Sequence, residues 1–378
     1  MSSRTVLILA SYAPSLVTFR GALICDLVAA GHRVLAVAPF ERAEDEAAVR
    51  ALGAEPRSIA VERHSFNPLS NLTYAAELRR LIARERPDVF LAYTAKPVAW
   101  GAPAARAAGV PFVAALITGL GYAFTDGPEL KRRAAKLALT ALYGRALRRC
   151  NRVIFQNPDD VATFRELGIL AADTPVAVVN GSGVDLSRFS PSPVPSQASF
   201  LMVARLLKDK GVREYGEAAV ALKTRYPHVA FRLAGWIEPS PDSVSQAELD
   251  RWTAGGLEFL GRLSDVRPAL ADCACYVLPS FYREGVPRTI LEAMAVGRAI
   301  ITTDSPGCRQ TVTPGENGFL VPPRDTKALE QAMERAIADP GMLAAMGRRS
   351  RELAESRYDV HAVNREMMRL LELQPTAG

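Results

Sequence analysis

The sequence is poor in cysteine and histidine, and it contains no long apolar run. Its 378 residues include five cysteines and four histidines. The odd cysteine number and the absence of a Cys-x-x-Cys pair argue against a disulfide framework and favour a reducing compartment. Nowhere do 18 apolar residues follow one another, so we expect no membrane-spanning helix. These absences predict a cytoplasmic protein.

Several motifs of nucleotide and metal sites are also missing. No Gly-x-Gly-x-x-Gly follows the first predicted strand, and the chain has neither a P-loop nor a Gly-x-Ser-x-Gly motif. No Asp-x-Asp is present, and no two histidines have the spacing of metal ligands. We therefore expect no nicotinamide cofactor and no metal.

The composition is that of a globular protein. Apolar residues make up 49% of the chain and charged residues 23%, which excludes a disordered protein. At about 150 residues per domain, the length predicts two or three domains. The net charge of +6 is mildly basic, and no aromatic pattern accompanies the basic residues, so nucleic acid is not an expected partner.

Short apolar runs alternate with helical patterns along the whole chain. Residues 5–10, 33–38 and 89–93 read as strands in the first half, and residues 198–204 and 275–278 in the second. This alternation predicts α/β domains with doubly wound parallel sheets. The predicted organisation is a first domain at 1–189, a Pro/Ser-rich linker at 190–199, a second domain at 200–358, and a C-terminal helix at 359–378 that crosses back to the first domain.

Two strand–loop–helix segments carry candidate ligand groups. Arg205 lies where a strand ends, and Lys210 lies just before a helix, where free N–H groups and two cations suit a diphosphate. Glu284 and Glu292 lie near a second helix start, and their carboxylates suit the diol of a sugar. The alternative is that the cations and Glu284 are solvated and that Glu292 pairs with Arg288.

A basic segment lies between residues 131 and 149. It contains no acidic residue, and apolar side chains lie between the cations, as in a helix that lies on an anionic membrane surface. A solvated helix face with an apolar stripe in the core is the alternative. The candidate membrane-contact residues are Lys131, Arg132, Arg133, Lys136, Arg145, Arg148 and Arg149.

Four motifs in this order and spacing resemble those of the retaining glycosyltransferases of family 4, which have the GT-B fold. This resemblance implies two Rossmann-like domains that face each other across a cleft. A narrower similarity, carried by Lys96-Pro97 and residues 117–124 and 155–157, is to bacterial enzymes that extend a sugar on a polyprenyl diphosphate carrier. The four motifs are Arg205 with Lys210, Glu284 with Glu292, Asn180-Gly181 with Asp185 and Phe189, and Glu316-Asn317-Gly318.

The resemblance implies a hexosyltransferase that uses a nucleotide diphosphate sugar and needs no metal. The expected acceptor is a polyprenyl-diphosphate-linked saccharide, reached from the inner face of the plasma membrane. It assigns catalysis to Arg205, Lys210 and Glu284, and donor binding to these residues with Gly285, Val286, Pro287, Arg288, Thr289 and Glu292. On the acceptor side it suggests Ser15, Lys96, Thr118 and Gly119, the last two standing where many family members have a histidine.

Alternatives from other classes remain open at this point. One is a nucleotide-sugar 2-epimerase or hydrolase of the same fold, which would need no lipid acceptor. A second is a transferase with a soluble acceptor. A third is a silent sugar-nucleotide-binding protein, which would be expected to lack one of the two cations or two glutamates, whereas this chain keeps all four.

Overall fold

The computed structural model describes residues 3–60, 68–120 and 130–373, with the backbone alone at 68–69 and 130–136. It divides into two compact units. The first comprises Met1–Ser182 with Val360–Gly378, and the second comprises Gly183–Asp359. The division therefore falls seven residues before the end of the predicted first domain.

The first unit alternates strands and helices. In chain order they are β1 (Thr5–Leu9), α1 (Ala13–Ala29), β2 (Arg33–Ala38), α2 (Ala43–Ala51), β3 (Glu55–Ser58), α3 (Pro68–Glu85), β4 (Val89–Tyr93), α4 (Ala102–Ala107), β5 (Phe112–Ile117), α5 (Leu130–Leu147), β6 (Arg152–Phe155), α6 (Pro158–Glu166) and β7 (Val176–Val178).

The second unit repeats this alternation. Its elements are β8 (Ser199–Val203), α7 (Val212–Arg225), β9 (Ala230–Ala234), α8 (Gln246–Ala254), β10 (Glu258–Gly261), α9 (Arg267–Ala271), β11 (Cys275–Leu278), α10 (Arg288–Val296), β12 (Ala299–Thr303), β13 (Gly318–Val321), α11 (Thr326–Ala338) and α12 (Pro340–Arg357). The last helix, α13 (Val360–Leu370), belongs to the first unit.

Each unit is built on a parallel sheet. Within the described residues, the strand orders are β3-β2-β1-β4-β5-β6-β7 and β10-β9-β8-β11-β12-β13. The central strands are apolar and buried because helices cover both faces of each sheet. The predicted doubly wound α/β class is confirmed.

The prediction missed the short edge strands. β3 reads Glu-Pro-Arg-Ser, and β10 has three exposed residues out of four. Neither shows an apolar run, since an edge strand is covered on fewer sides than a central one. The sequence pattern therefore marks the core of a sheet better than its borders.

The Pro/Ser-rich segment 190–199 lies on the second unit. The guanidinium group of Arg298 is fully buried and donates to the carbonyl groups of Ser192, Pro193 and Leu270 at 2.9–3.1 Å. Arg351 donates to the Phe189 carbonyl at 2.9 Å. Arg298 thus holds the backbone of this segment, and Arg351 holds the residue that precedes it.

The C-terminal helix α13 packs on α1. Asn364 donates to Asp26 at 2.7 Å, and Met367 and Leu371 are buried in the core of the first unit. No helix among the described residues is both long and apolar enough to cross a bilayer.

Arg298→Ala should destabilise the second unit. The substitution leaves buried carbonyl groups without donors and opens a cavity, so we expect a loss of about 3 kcal/mol or more in the free energy of unfolding. Urea denaturation followed by circular dichroism measures this change. Arg349→Ala is the control, because Arg349 forms surface ion pairs with Glu316 and Glu352. This variant should change the free energy of unfolding by less than about 1 kcal/mol. An equal effect of both substitutions would contradict the role of Arg298.

Candidate functional site

The second sheet has one point at which its strand order reverses, between β8 and β11. At such a point the loops that follow the two strands leave in opposite directions and open a crevice at the carboxyl ends. The loop after β8 contains Arg205 and Lys210, and the loop after β11 contains Glu284. The topology therefore brings the sequence-predicted residues to one crevice.

Backbone contacts fix these two loops against each other. The Asp209 carbonyl accepts hydrogen bonds from the N–H groups of Phe281 and Tyr282, both at 2.9 Å. Gly211 has a φ of +75°, and a Cβ atom there would lie 2.1 Å from the Pro279 carbonyl oxygen. Only glycine permits this approach, so residue 211 determines how closely the loops meet.

Lys210 and Glu284 form an ion pair across the crevice. The ammonium group lies 2.7 Å from Oε1 of Glu284, and the two side chains are 13% and 14% exposed. The Ser280 hydroxyl donates to the same oxygen at 2.8 Å. The ammonium also lies 5.1 Å from the centre of the Tyr282 ring. Glu284 is thus held by neighbours rather than solvated.

Glu292 lies on α10 and is paired with Arg288. The Arg288 Nε lies 2.9 Å from the carboxylate, which is the pairing considered as an alternative from the sequence. Glu292 is 8% exposed; burial raises its pKa, and the charge of Arg288 opposes this rise. A buried carboxylate with a charged partner is placed to accept hydrogen bonds from a ligand.

Three helices that follow central strands begin without a side-chain cap. No side chain caps α1, α7 or α10. The same holds for α2, α4 and α9, whereas side chains cap α6, α8, α11 and α12. Uncapped first-turn N–H groups attract anions. At α10 these groups follow Gly285, Val286 and Pro287 and include those of Arg288 and Thr289.

Arg205 lies at the side of the crevice and is 40% exposed. Its guanidinium group contacts Glu238 at 3.0 Å. Such an exposed ion pair is weak, so the guanidinium can exchange Glu238 for a ligand anion. Glu238 also lines a cavity of about 660 Å³ with Lys208 and Arg213. Sequence reasoning did not identify Glu238.

A layer of hydroxyl groups supports the loop after β11. Thr302 donates to the Leu278 carbonyl at 2.6 Å, and Thr303 donates to the Ser280 carbonyl. The Cys308 thiol lies beneath, and burial raises its pKa to about 12. These residues are uncharged and belong to no motif that the sequence analysis identified, so they were not predicted.

The first sheet reverses its order between β1 and β4. There the Ser11 and Thr94 hydroxyls lie 3.1 Å apart, and the Ser15 hydroxyl lies 2.8 Å from that of Tyr93. Thr94 has a φ of +69°, an uncommon conformation for a β-branched residue. Sequence reasoning identified Ser15 here but missed the other three residues. Their position at or just beyond the carboxyl ends of two central strands was the available signal.

The other acceptor-side candidates follow neighbouring strands. Lys96 lies two residues beyond Thr94, and Thr118 and Gly119 follow β5, next to β4 in the sheet. Residues 121–124 of the narrower motif lie outside the described residues. In the part of the chain that the structure describes, no three histidine, cysteine or carboxylate side chains could hold a metal ion together.

Two family models match the chain. The model described as "Glycosyl transferase 4-like domain" matches residues 17–181, and the one described as "Glycosyl transferases group 1" matches residues 197–339. Together they span most of the sequence and follow its two units. The chain belongs to family 4 of the glycosyltransferases. The resemblance inferred from the four motifs is confirmed.

Curated relatives of this glycosyltransferase are similar over most of its length. It is 27% identical over 338 residues to the N,N'-diacetylbacillosaminyl-diphospho-undecaprenol alpha-1,3-N-acetylgalactosaminyltransferase of Campylobacter jejuni, covering 86% of this chain and 87% of the relative. It is 27% identical over 298 residues to the UDP-Gal:alpha-D-GlcNAc-diphosphoundecaprenol alpha-1,3-galactosyltransferase of Escherichia coli, covering 75% and 74%.

Solved structures share the fold. Sucrose-phosphate synthase from Thermosynechococcus elongatus superimposes with a TM-score of 0.79 at 19% identity over 98% of both chains. HepE of Anabaena, in complex with UDP-glucose, superimposes with a TM-score of 0.76 at 22% identity, covering 98% of this chain and 100% of the HepE chain. The glycosyltransferase therefore has the GT-B fold.

Helix α5 carries the basic segment of the glycosyltransferase. The side chains of Lys131, Arg132, Arg133 and Lys136 lie outside the described residues. Tyr143 and Leu147 are buried in the core, whereas Leu137 is 72% exposed. The helix ends at Leu147, so two of the predicted cations follow it. Arg145, Arg148 and Arg149 are exposed and line a cavity of about 540 Å³ with Gly144 and Gly168.

Gly211→Ala should separate the two loops of the crevice. The new Cβ atom would meet the Pro279 carbonyl, and the positive φ would be strained, so we expect a loss of at least about 2 kcal/mol in the free energy of unfolding. Gly315→Ala is the matched control: its φ is +82°, but nothing lies within 4 Å of an added Cβ. That control should lose only about 1 kcal/mol. Chemical denaturation of both variants measures the difference, and equal losses would show that the contact with Pro279 is unimportant.

Proposed function

We propose that the enzyme transfers a hexose or N-acetylhexosamine from a nucleotide diphosphate sugar to a polyprenyl-diphosphate-linked saccharide, with retention at the anomeric carbon. The observation that carries this proposal is the pairing of Lys210 and Glu284 at the strand-order reversal of the second sheet. The similarity to two transferases whose names specify diphosphoundecaprenol-linked substrates supports the acceptor class. The name of one of them specifies UDP-Gal, which favours a UDP-sugar here.

The cations of the crevice act on the leaving group. Cleavage of the anomeric bond leaves additional negative charge on the diphosphate, and groups aimed at that charge stabilise the transition state. Lys210 supplies a point charge, Arg205 a planar fork, and the start of α10 the positive end of a helix dipole. Because these groups neutralise the diphosphate, the proposed reaction requires no metal.

The two carboxylates hold the sugars of the donor. Glu284, in the loop, accepts hydrogen bonds from the hydroxyls of the transferred hexose and lies near the oxocarbenium-like centre. Glu292, paired with Arg288 on α10, accepts from the ribose diol. The leaving phosphate oxygen takes the proton of the acceptor hydroxyl on the same face, so no separate base is needed.

The acceptor binds the first unit. The hydroxyl of Ser15 and the backbone at Thr118 and Gly119 are suited to hydrogen bonds with a saccharide, and Lys96 is suited to the acceptor diphosphate. The polyprenyl tail remains in the bilayer. The enzyme therefore works at the inner face of the plasma membrane, attached through the basic segment of α5.

Transfer to lipid is the test of this proposal. Purified enzyme receives radiolabelled nucleotide sugars and a bacterial membrane extract, with EDTA present throughout. We expect chloroform-soluble label from one donor, and a loss of roughly 10²–10³ in rate in Lys210→Met and in Glu284→Gln. Glu330→Gln, which alters an exposed ion pair with Arg225 on the same unit, is the control and should keep its activity.

Other outcomes separate the alternatives. Label that remains in water as free or epimerised sugar would indicate a hydrolase or 2-epimerase. Label on a water-soluble saccharide would indicate a soluble acceptor and would exclude the lipid-linked one. Activity that disappears with EDTA and returns with a divalent cation would contradict the proposed neutralisation of the diphosphate by cationic side chains.

Membrane attachment is predicted to depend on the arginines near the end of α5. Each basic residue near an anionic leaflet contributes on the order of 1 kcal/mol, so the triple variant R145Q/R148Q/R149Q should bind phosphatidylglycerol vesicles about 100-fold more weakly. Flotation with phosphatidylglycerol and phosphatidylcholine vesicles measures this. The variant R251Q/R348Q/R357Q removes the same charge from the second unit and should bind as the wild type does. Equal weakening in both would mean that net charge alone governs attachment.

A further inference from the structure

Oxygen Oε1 of Glu284 has two donors of different kinds. One is the Lys210 ammonium at 2.7 Å, and the other is the Ser280 hydroxyl at 2.8 Å. In the proposed reaction Lys210 must contact the donor diphosphate, whose charge is greater than that of one carboxylate. Its pairing with Glu284 is therefore the one that donor binding weakens.

We propose that Ser280 is a positioning residue, whose hydroxyl keeps the Glu284 carboxylate at the donor sugar when Lys210 turns to the diphosphate. This inference rests on the proposed function and deepens it. A carboxylate without that bond would be repelled by the entering diphosphate. The Ser280 hydroxyl can keep the carboxylate in place, because it is neutral and its backbone is fixed. The diphosphate attracts the Lys210 ammonium but not this hydroxyl.

The direction of the Ser280 hydroxyl follows from its neighbours. A serine hydroxyl donates one hydrogen bond and accepts up to two. Its Oγ lies 2.8 Å from Glu284 Oε1 but 3.3 Å from the Asp209 carbonyl, and it accepts from the Tyr282 N–H at 3.3 Å. The shorter bond to a charged acceptor is the stronger one. The hydroxyl proton of Ser280 therefore points to Oε1 of Glu284.

The backbone of Ser280 is held from below by the neighbouring strand. Ser280 is fully buried, and its carbonyl accepts from the hydroxyl of Thr303 at the end of β12. The Cys308 thiol lies 3.9 Å from the same carbonyl. A Cβ atom on Gly307 would lie 2.2 Å from the Gly285 carbonyl oxygen. The backbone at Gly307 is therefore packed closely against the loop after β11 and prevents that loop from moving toward it. The Lys210 ammonium, in contrast, stands at the end of a long side chain with several rotatable bonds, so it can change partner while its backbone stays in place.

Ser280→Ala separates sugar positioning from nucleotide binding. Titration calorimetry with UDP, UDP-galactose and UDP-N-acetylgalactosamine compares it with the wild type. We expect the affinity for UDP to remain within about twofold, because UDP contacts the cations and Glu292. In the wild type we expect the preferred UDP-sugar to bind more tightly than UDP, and in Ser280→Ala this difference in affinity should disappear. The kcat of transfer should fall about 10-fold with little change in the acceptor KM.

Ser199→Ala is the matched control. Ser199 is also buried in the second unit, and its hydroxyl bonds Ala274 N–H at 3.0 Å, but it stands at the amino end of β8, opposite the crevice. It should alter thermal stability as much as Ser280→Ala does and leave the UDP-sugar preference intact. Equal loss of UDP and UDP-sugar binding in Ser280→Ala, or the same kinetic loss in Ser199→Ala, would reduce Ser280 to a structural role and overturn the proposal.

A second variant tests the geometry without any donor. In a crystal structure of Lys210→Met, Glu284 Oε1 should stay within hydrogen-bond distance of the Ser280 hydroxyl. A carboxylate that leaves Ser280 once Lys210 is absent would refute the proposal. A wild-type enzyme that prefers UDP-sugar to UDP but labels no lipid would refute the proposed acceptor and leave the role of Ser280 standing.

Discussion

The close approach of two loops at the carboxyl ends of β8 and β11 is the constraint on which the candidate donor site depends. Gly211 permits it, because any side chain there would meet the Pro279 carbonyl. The Asp209 carbonyl then joins the loops through two N–H groups. Only at this separation can a lysine side chain from one loop contact a glutamate from the other at 2.7 Å. The pairing of Lys210 with Glu284 therefore depends on the backbone contact between Gly211 and Pro279.

Charges in this crevice are balanced before any ligand enters. Lys210 pairs with Glu284, Arg288 with Glu292, and Arg205 with Glu238. In the proposed reaction the donor diphosphate replaces carboxylates as the partner of Lys210 and Arg205, while the sugar hydroxyls bind Glu284. A ligand that carries both a diphosphate and sugar hydroxyls therefore supplies new partners to both Lys210 and Glu284. A ligand with only one of these features leaves a charge unpaired in a partly buried site.

The sequence predicts the parts of the protein whose pattern reflects burial or charge. The central strands were found because both of their faces are covered, whereas β3 and β10 were not, because these edge strands contain no apolar run longer than two residues. The charged candidate residues were predicted from their places near strand ends and helix starts, and the structure brings Lys210 and Glu284 together there. Ser280 and Thr303 could not be assigned roles from the sequence alone, because an uncharged hydroxyl becomes informative only when tertiary structure supplies its partner. The hold of Arg298 on the Pro/Ser segment, likewise, joins residues about a hundred positions apart.

The crevice of the first unit differs in chemistry from that of the second. Hydroxyl groups of Ser11, Ser15, Tyr93 and Thr94 lie there, together with the Arg20 guanidinium, which lies 5.1 Å from the centre of the Tyr93 ring. Neutral hydroxyls exchange hydrogen bonds with a saccharide at little desolvation cost, and they do not compete for a diphosphate. The ligands proposed for the two crevices differ accordingly: a nucleotide sugar in the second unit, and in the first a saccharide end whose diphosphate lies at Lys96.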